Sequence, residues 1–300
     1  MFWSFHFFKL PASWNFSGAM KLNYLVFNEK FNLLSLDVVA GACAGMYFFA
    51  DLMKVDLSWK IYLLLGLAVW SIYTFDHLLD AKKVQGPALS QRHKFHQDHF
   101  IVLLALLFVS VISGGVLALW FLPSLKMLSS GLFLALLIVL SMAGLRLTGR
   151  KTAAIKEFST ALFYVAGLIL IPLLNIDLSF SSNHWLYFLG GYLLLAWYNL
   201  VFLSYSDGEQ DLAEGQVSIM TVIGKVKTQK LLWVLTFIGL IYLVVLFLFL
   251  PSYYHIYTLI WGLMLLMHVI SFVESPVDNN MKTRKRLELV FSLPLLLLLF

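Results

Sequence analysis

The chain has 300 residues, 61% of them hydrophobic and only 12% charged, with a mean hydropathy of +0.85. A water-soluble domain carries about twice that share of charge, so the composition excludes an ordinary soluble enzyme. The formal net charge of +5 comes from basic residues placed as membrane topology requires, and no nucleic-acid partner is needed to explain it.

Residues 1–30 interleave Phe2, Trp3, Phe5, Phe7, Phe8 and Trp14 with Lys9, Asn15 and Lys21. They hold no apolar core followed by a small-residue cleavage site, and the expectation is a cytoplasmic segment lying in the bilayer interface. Residues 31–300 then form one transmembrane domain. Apolar blocks predict spans near 34–53, 59–80, 99–122, 127–147, 156–176, 184–206, 230–250 and 253–273. Each reaches the roughly 20 residues that cross the hydrocarbon layer. Lipid cannot satisfy backbone polar groups, so these blocks must be helical. A ninth block near 287–300 is leucine-rich, carries Pro294 and runs to the last residue. The lone cysteine, Cys43, falls among small residues of the first span and is read as a packing residue.

With the N-terminus taken as one side, 18 of the 21 Lys and Arg residues fall on that side; only Lys54, Lys60 and Lys126 fall opposite. The positive-inside rule then predicts an integral, multi-pass membrane protein with its N-terminus in the cytoplasm.

Carboxylates near membrane depth are costly and suggest function. The second span ends in Asp76-His77-Leu78-Leu79-Asp80 and the sixth in Asp207-Gly208-Glu209-Gln210-Asp211. Each D-x-x-x-D puts two acids on one helix face, one turn apart, where they repel unless a cation lies between them. The pairs are 131 residues apart at both positions and four spans separate them, so both emerge on the cytoplasmic side. This spacing suggests two pseudo-repeated four-helix halves with a site between them. Oxygen-only donors of this kind suit Mg²⁺, which shares its shell with water and phosphate.

At these residues the chain resembles the UbiA superfamily of intramembrane prenyltransferases, over most of its length from about Leu33. Asp207-Gly-Glu-Gln-Asp211, followed by Gly215, Thr221 and Gly224, is similar to the family's second acidic motif. The first motif matches in Asp76 and Asp80, while Ile72 and Tyr73 stand where the family has Asn and Asp. Leu203 replaces an Asn before the second motif. At the end of the fourth span, Met142 replaces a Tyr and Arg146 stands for a Lys. The resemblance implies an all-α fold of about nine transmembrane helices, two four-helix halves plus a C-terminal helix. It also implies Mg²⁺ and a prenyl diphosphate substrate.

The expected metal ligands, and catalytic residues, are Asp76, Asp80, Asp207 and Asp211, with Glu209 as a further metal ligand. Arg92, Lys94, Arg146, Lys151 and Lys156 are placed to clamp phosphate charge, although each also serves as a topology signal. Tyr73 is a candidate for facing an allylic cation. Asn199, two turns before Asp207, could orient an acceptor or make an interhelical hydrogen bond. His93, His96 and His99 suggest an electropositive cap over the diphosphate; a transition-metal site is the alternative. The function expected is Mg²⁺-dependent transfer of a prenyl group to a lipophilic acceptor, aromatic acceptors included. Its rivals are a terpene cyclase on the same scaffold and a non-catalytic lipid-binding or transport protein.

Overall fold

A computed structural model describes residues 30–122, 124–148, 153–176, 183–274 and 280–300. The N-terminal interfacial segment, 1–29, and Lys151 lie outside the described residues. In chain order the helices are α1 (Leu36–Leu52), α2 (Trp59–Lys83), α3 (Gln91–Asp98), α4 (Phe100–Phe121), α5 (Leu125–Thr148) and α6 (Ala153–Leu174). There follow α7 (Trp185–Ala213), α8 (Ile219–Ile223), α9 (Lys225–Phe249), α10 (His255–Glu274) and α11 (Asn280–Val290), and a 3₁₀ helix, Leu293–Leu299, ends the chain. No strand occurs among the described residues.

Seven of these, α2, α4, α5, α6, α7, α9 and α10, are long and apolar enough to cross a membrane. The first predicted span appears as α1, a helix of 17 residues, somewhat shorter than the usual crossing length. The last predicted span is divided into α11 and the 3₁₀ helix, with Pro294 at the start of the latter. The proline ring and its missing N–H oppose one continuous α-helix there.

The main buried apolar cluster joins α1, α6, α7 and α10. Phe48 and Phe49 of α1 meet Tyr192 of α7 with ring centroids 5.5 and 5.3 Å apart, and Trp261 of α10 is fully buried beside them. Gly191 permits the approach of α10, because a Cβ there would lie 2.8 Å from Trp261 Nε1. By contrast, α4 packs chiefly on α2, and α5 chiefly on α6. The apolar stretch of α5 buries no residue within the protein, as expected for a helix whose remaining surface faces lipid.

Candidate functional site

A cavity of about 1390 Å³ is lined by α1, α2, α3, α4, α5, α6, α7 and α11. On α2 its wall runs from Ile61 to Lys83, about 33 Å along a helix axis at 1.5 Å per residue. One end carries Asp76, Asp80, Asp207 and Asp211 together with Arg92, Arg146, Lys156 and Arg284. The other end is apolar, with Leu64, Leu67, Gly114, Ala118, Ile138 and Ile171 among its lining residues. The two acidic helix ends therefore share one chamber.

Local backbone chemistry brings those ends together. α7 closes in a Schellman turn: Gly215 takes a positive φ of 68°, and the amides of Gly215 and Gln216 donate to the carbonyls of Leu212 and Asp211. Glycine is favoured at such a position because it has no Cβ to clash. The turn sends Gln216 across to donate to the Asp80 carbonyl at 3.3 Å. Glu214 accepts from the amides of Leu89 and Ser90, both at 2.7 Å, and pairs with His93. Ser90 caps α3 by accepting from the His93 amide at 3.1 Å, the usual role of serine before a helix. At α8 the Ser218 amide donates to Thr221 Oγ1 at 2.9 Å, and the Ile219 amide donates to Glu157 at 2.7 Å. A short helix thus follows each acid-bearing helix and is tied back to the site.

The first acid pair converges on one cation. Arg146 Nη2 lies 2.5 Å from Asp76 Oδ1 and 3.2 Å from Asp80 Oδ1. Lys83 lies 3.9 Å from Asp80, and Lys156 is within electrostatic reach of both acids. In the second pair, Asp207 accepts from Arg284 of α11. Arg284 also donates to Glu288 at 3.0 Å, and Glu288 accepts from Arg92 at 3.2 Å and from Asn32. Asn32 donates to Asp37 as well. Glu288 is only 5% exposed, so the network centres on a buried carboxylate, where charge-assisted bonds are strong.

The other expected residues divide. Tyr73 lines the cavity with its ring 6.1 Å from that of His77. Asn199 lines it too, and meets His268 Nε2 at 3.3 Å across α7 and α10. Glu209 is exposed at the rim and pairs with Lys225 at 2.7 Å. Lys94 is exposed on α3 and is not part of the wall. His93 and His96 lie on α3 and His99 caps its C-terminal end, but the three turn to separate partners. His93 pairs with Glu214, His96 Nδ1 meets the Arg92 carbonyl at 2.9 Å, and His99 Nδ1 meets that of Phe95 at 3.0 Å. Burial holds the His96 imidazole down to about 4, well below the ordinary histidine range.

Three wall residues had no assigned role in the sequence reading. Arg284 was hidden in the basic run 282–286, where only its spacing of four from Glu288 hinted at a pair. His77 bonds Arg92 Nη1 at 3.0 Å. Glu157 is 7% exposed, and its Oε2 has no hydrogen-bond partner.

Among the described residues no three His, Cys, Asp or Glu side chains gather into a cage of their own. Paired carboxylates nevertheless suit Mg²⁺, which takes one or two protein oxygens and completes its shell with water and phosphate. The convergence of Asp76 and Asp80 on one guanidinium indicates that their oxygens can share a cation. No family model, curated protein or solved structure matches this chain.

Proposed function

We propose that this chain is a UbiA-like intramembrane prenyltransferase that uses Mg²⁺ to move a prenyl group from its diphosphate to a lipophilic acceptor. The observation that carries this reading is the single cavity, with both acid pairs and their basic neighbours at one end and an apolar channel at the other. A prenyl diphosphate has that same polarity, an anionic, oxygen-rich head on a hydrocarbon tail. α4 and α5 both line the cavity while packing mainly on other helices, an arrangement that favours entry of a lipophilic molecule from the bilayer. In this reading α1 and the C-terminal segment bring the membrane helices to nine. The halves are α1, α2, α4, α5 and α6, α7, α9, α10, each with a short helix after its acidic member, and the acidic ends face the cytoplasm.

Asp76, Asp80, Asp207 and Asp211 would hold the metal, which when bound neutralises the departing diphosphate oxygens as a Lewis acid. Arg146, Lys156 and Arg92 orient the head by hydrogen bonds to phosphate oxygens. Tyr73 presents its ring beside the allylic carbon, and the apolar wall excludes water from the cation.

The test is to incubate purified protein with prenyl diphosphates of several lengths, with and without Mg²⁺, and to measure diphosphate release. Release that requires Mg²⁺ and is abolished by Asp76→Asn or Asp211→Asn is expected. Unchanged release in both variants would sink the metal-ligand assignment. Binding without release would identify a lipid-diphosphate binder, and a cyclised product formed without acceptor would identify a cyclase.

A further inference from the structure

Each acid pair already holds an arginine of the same chain, Arg146 on Asp76 and Asp80 and Arg284 on Asp207. Two carboxylates one turn apart repel, and in a partly dehydrated cavity the repulsion is strong. Arg146 answers it at the first pair by touching both acids, and Arg284 answers it at Asp207. A divalent ion seated between Asp76 and Asp80 would take the place that the Arg146 guanidinium now holds. Metal entering alone would leave Arg146 in the cavity without its anions, and Arg284 with Glu288 alone, and uncompensated charge of that kind is costly.

We propose that Arg146 and Arg284 are exchangeable counter-ions: a bound diphosphate draws each guanidinium from its carboxylate onto phosphate oxygens, and the divalent cation takes the oxygens released. This rests on the prenyl-diphosphate reading of the cavity and adds an order to it. The exchange conserves charge pairing throughout, since every guanidinium leaves one anion only as it meets another. Guanidinium suits the task because its planar fork fits carboxylate and phosphate equally well. Arg146 is the easier of the two to move. It sits near the end of α5, the helix that buries none of its apolar stretch within the protein. Metal and diphosphate then bind as a coupled pair, each raising the affinity of the other by the same factor. Arg284, read from sequence only as a topology signal, becomes a diphosphate-binding residue.

The full chain in detergent micelles is titrated with Mg²⁺ alone, with inorganic pyrophosphate alone, and with pyrophosphate at fixed Mg²⁺, by calorimetry. The wild type should bind Mg²⁺ alone weakly. Arg146→Gln should bind Mg²⁺ alone at least about tenfold more tightly, roughly 1.4 kcal/mol, while binding pyrophosphate more weakly. Arg146→Lys keeps a cation at the acid pair and should remain near wild type for Mg²⁺ alone. Arg284→Gln should move in the same direction as Arg146→Gln. It also removes a partner of Glu288, so if it does not fold, Arg146→Gln decides the matter. The Mg²⁺-only arm is unaffected by the Mg²⁺–pyrophosphate complex that forms in solution. A folded Arg146→Gln protein whose Mg²⁺ affinity is unchanged or weaker overturns the exchange. If such a result comes with Mg²⁺-dependent pyrophosphate binding by the wild type, the proposed function stands and only the exchange is lost. Absence of pyrophosphate binding by the wild type at any Mg²⁺ concentration removes both.

Discussion

The two acid pairs share a spacing but not their surroundings. Asp76 and Asp80 lie at the end of α2 and are answered by Arg146, on a helix that packs mainly against α6. Asp207 lies at the end of α7, the most buried of the candidate spans, and is answered by Arg284 from within the Glu288 network. The position after the first acid differs as well. His77 bonds Arg92 of α3, whereas Gly208 lets the Met220 side chain of α8 lie against the α7 backbone. Equal acids can thus be served by unequal supports: one counter-ion is held by the site alone, and the other is also part of what holds the helices together.

The sharpest way to separate them is to remove the support from each. Glu288→Ala takes the acceptor from Arg92, Arg284 and Asn32 at once. Breaking a buried ion network costs about 3–5 kcal/mol, so the variant should lose monodisperse protein at a clearly lower temperature than wild type. Arg146→Ala breaks part-exposed contacts and leaves the Glu288 network whole, so it should lose clearly less than Glu288→Ala in the same heating assay. Equal losses in the two variants would erase the distinction drawn here.

Acid should also act unequally, because α3 carries histidines and α8 has none. His96 is 1% exposed, faces Arg92, His77, His93 and His99, and has an imidazole held near 4 by burial. Between pH 6.5 and about 4 the unfolded chain protonates this histidine and the folded chain does not. Stability contributed by the neutral ring is complete above that window and falls as pH drops through it, by up to about 3 kcal/mol. Hydrogen exchange at 94–98 should therefore rise before exchange at 219–223. His96→Asn should flatten the first response; an unaltered pH profile in that variant would assign the acid sensitivity to other groups.

The helices were largely readable because lipid imposes length and apolarity on whole segments. The prediction 59–80 meets Trp59–Lys83, and 253–273 meets His255–Glu274. Boundaries slipped where charged residues continue a helix beyond the hydrocarbon, as at Lys225, five residues before the predicted start at 230. The acids were visible because D-x-x-x-D is a local pattern. Their partners were not: Arg284 and Asp207 are 77 residues apart, and Arg92 and Glu288 are 196 apart. No periodicity records a pair at such separation. Glu157 was equally obscure, since a single acid beside Lys156 looks like part of a solvated helix end.

The smallest expected effect tests the glycine that distinguishes the second pair. A Cβ on Gly208 would lie 2.6 Å from Met220 Cγ and 2.7 Å from its Cε, too close for ordinary contact. Methionine can bend away, so Gly208→Ala should cost about 1 kcal/mol, at the low end for overpacking. The backbone of Met220 has less freedom than its side chain. Its amide donates to Ser204 Oγ at 3.0 Å, and the preceding Ile219 amide donates to Glu157 at 2.7 Å. Whatever strain the side chain does not absorb must therefore appear as weakening of these two bonds. Exchange of the Ile219 and Met220 amides should rise several-fold. The Leu89 and Ser90 amides, held by Glu214 on the opposite cap, should exchange as in wild type. If Leu89 and Ser90 loosen to the same degree, the two caps form one cooperative unit, and the independence of the two acid pairs is lost with it.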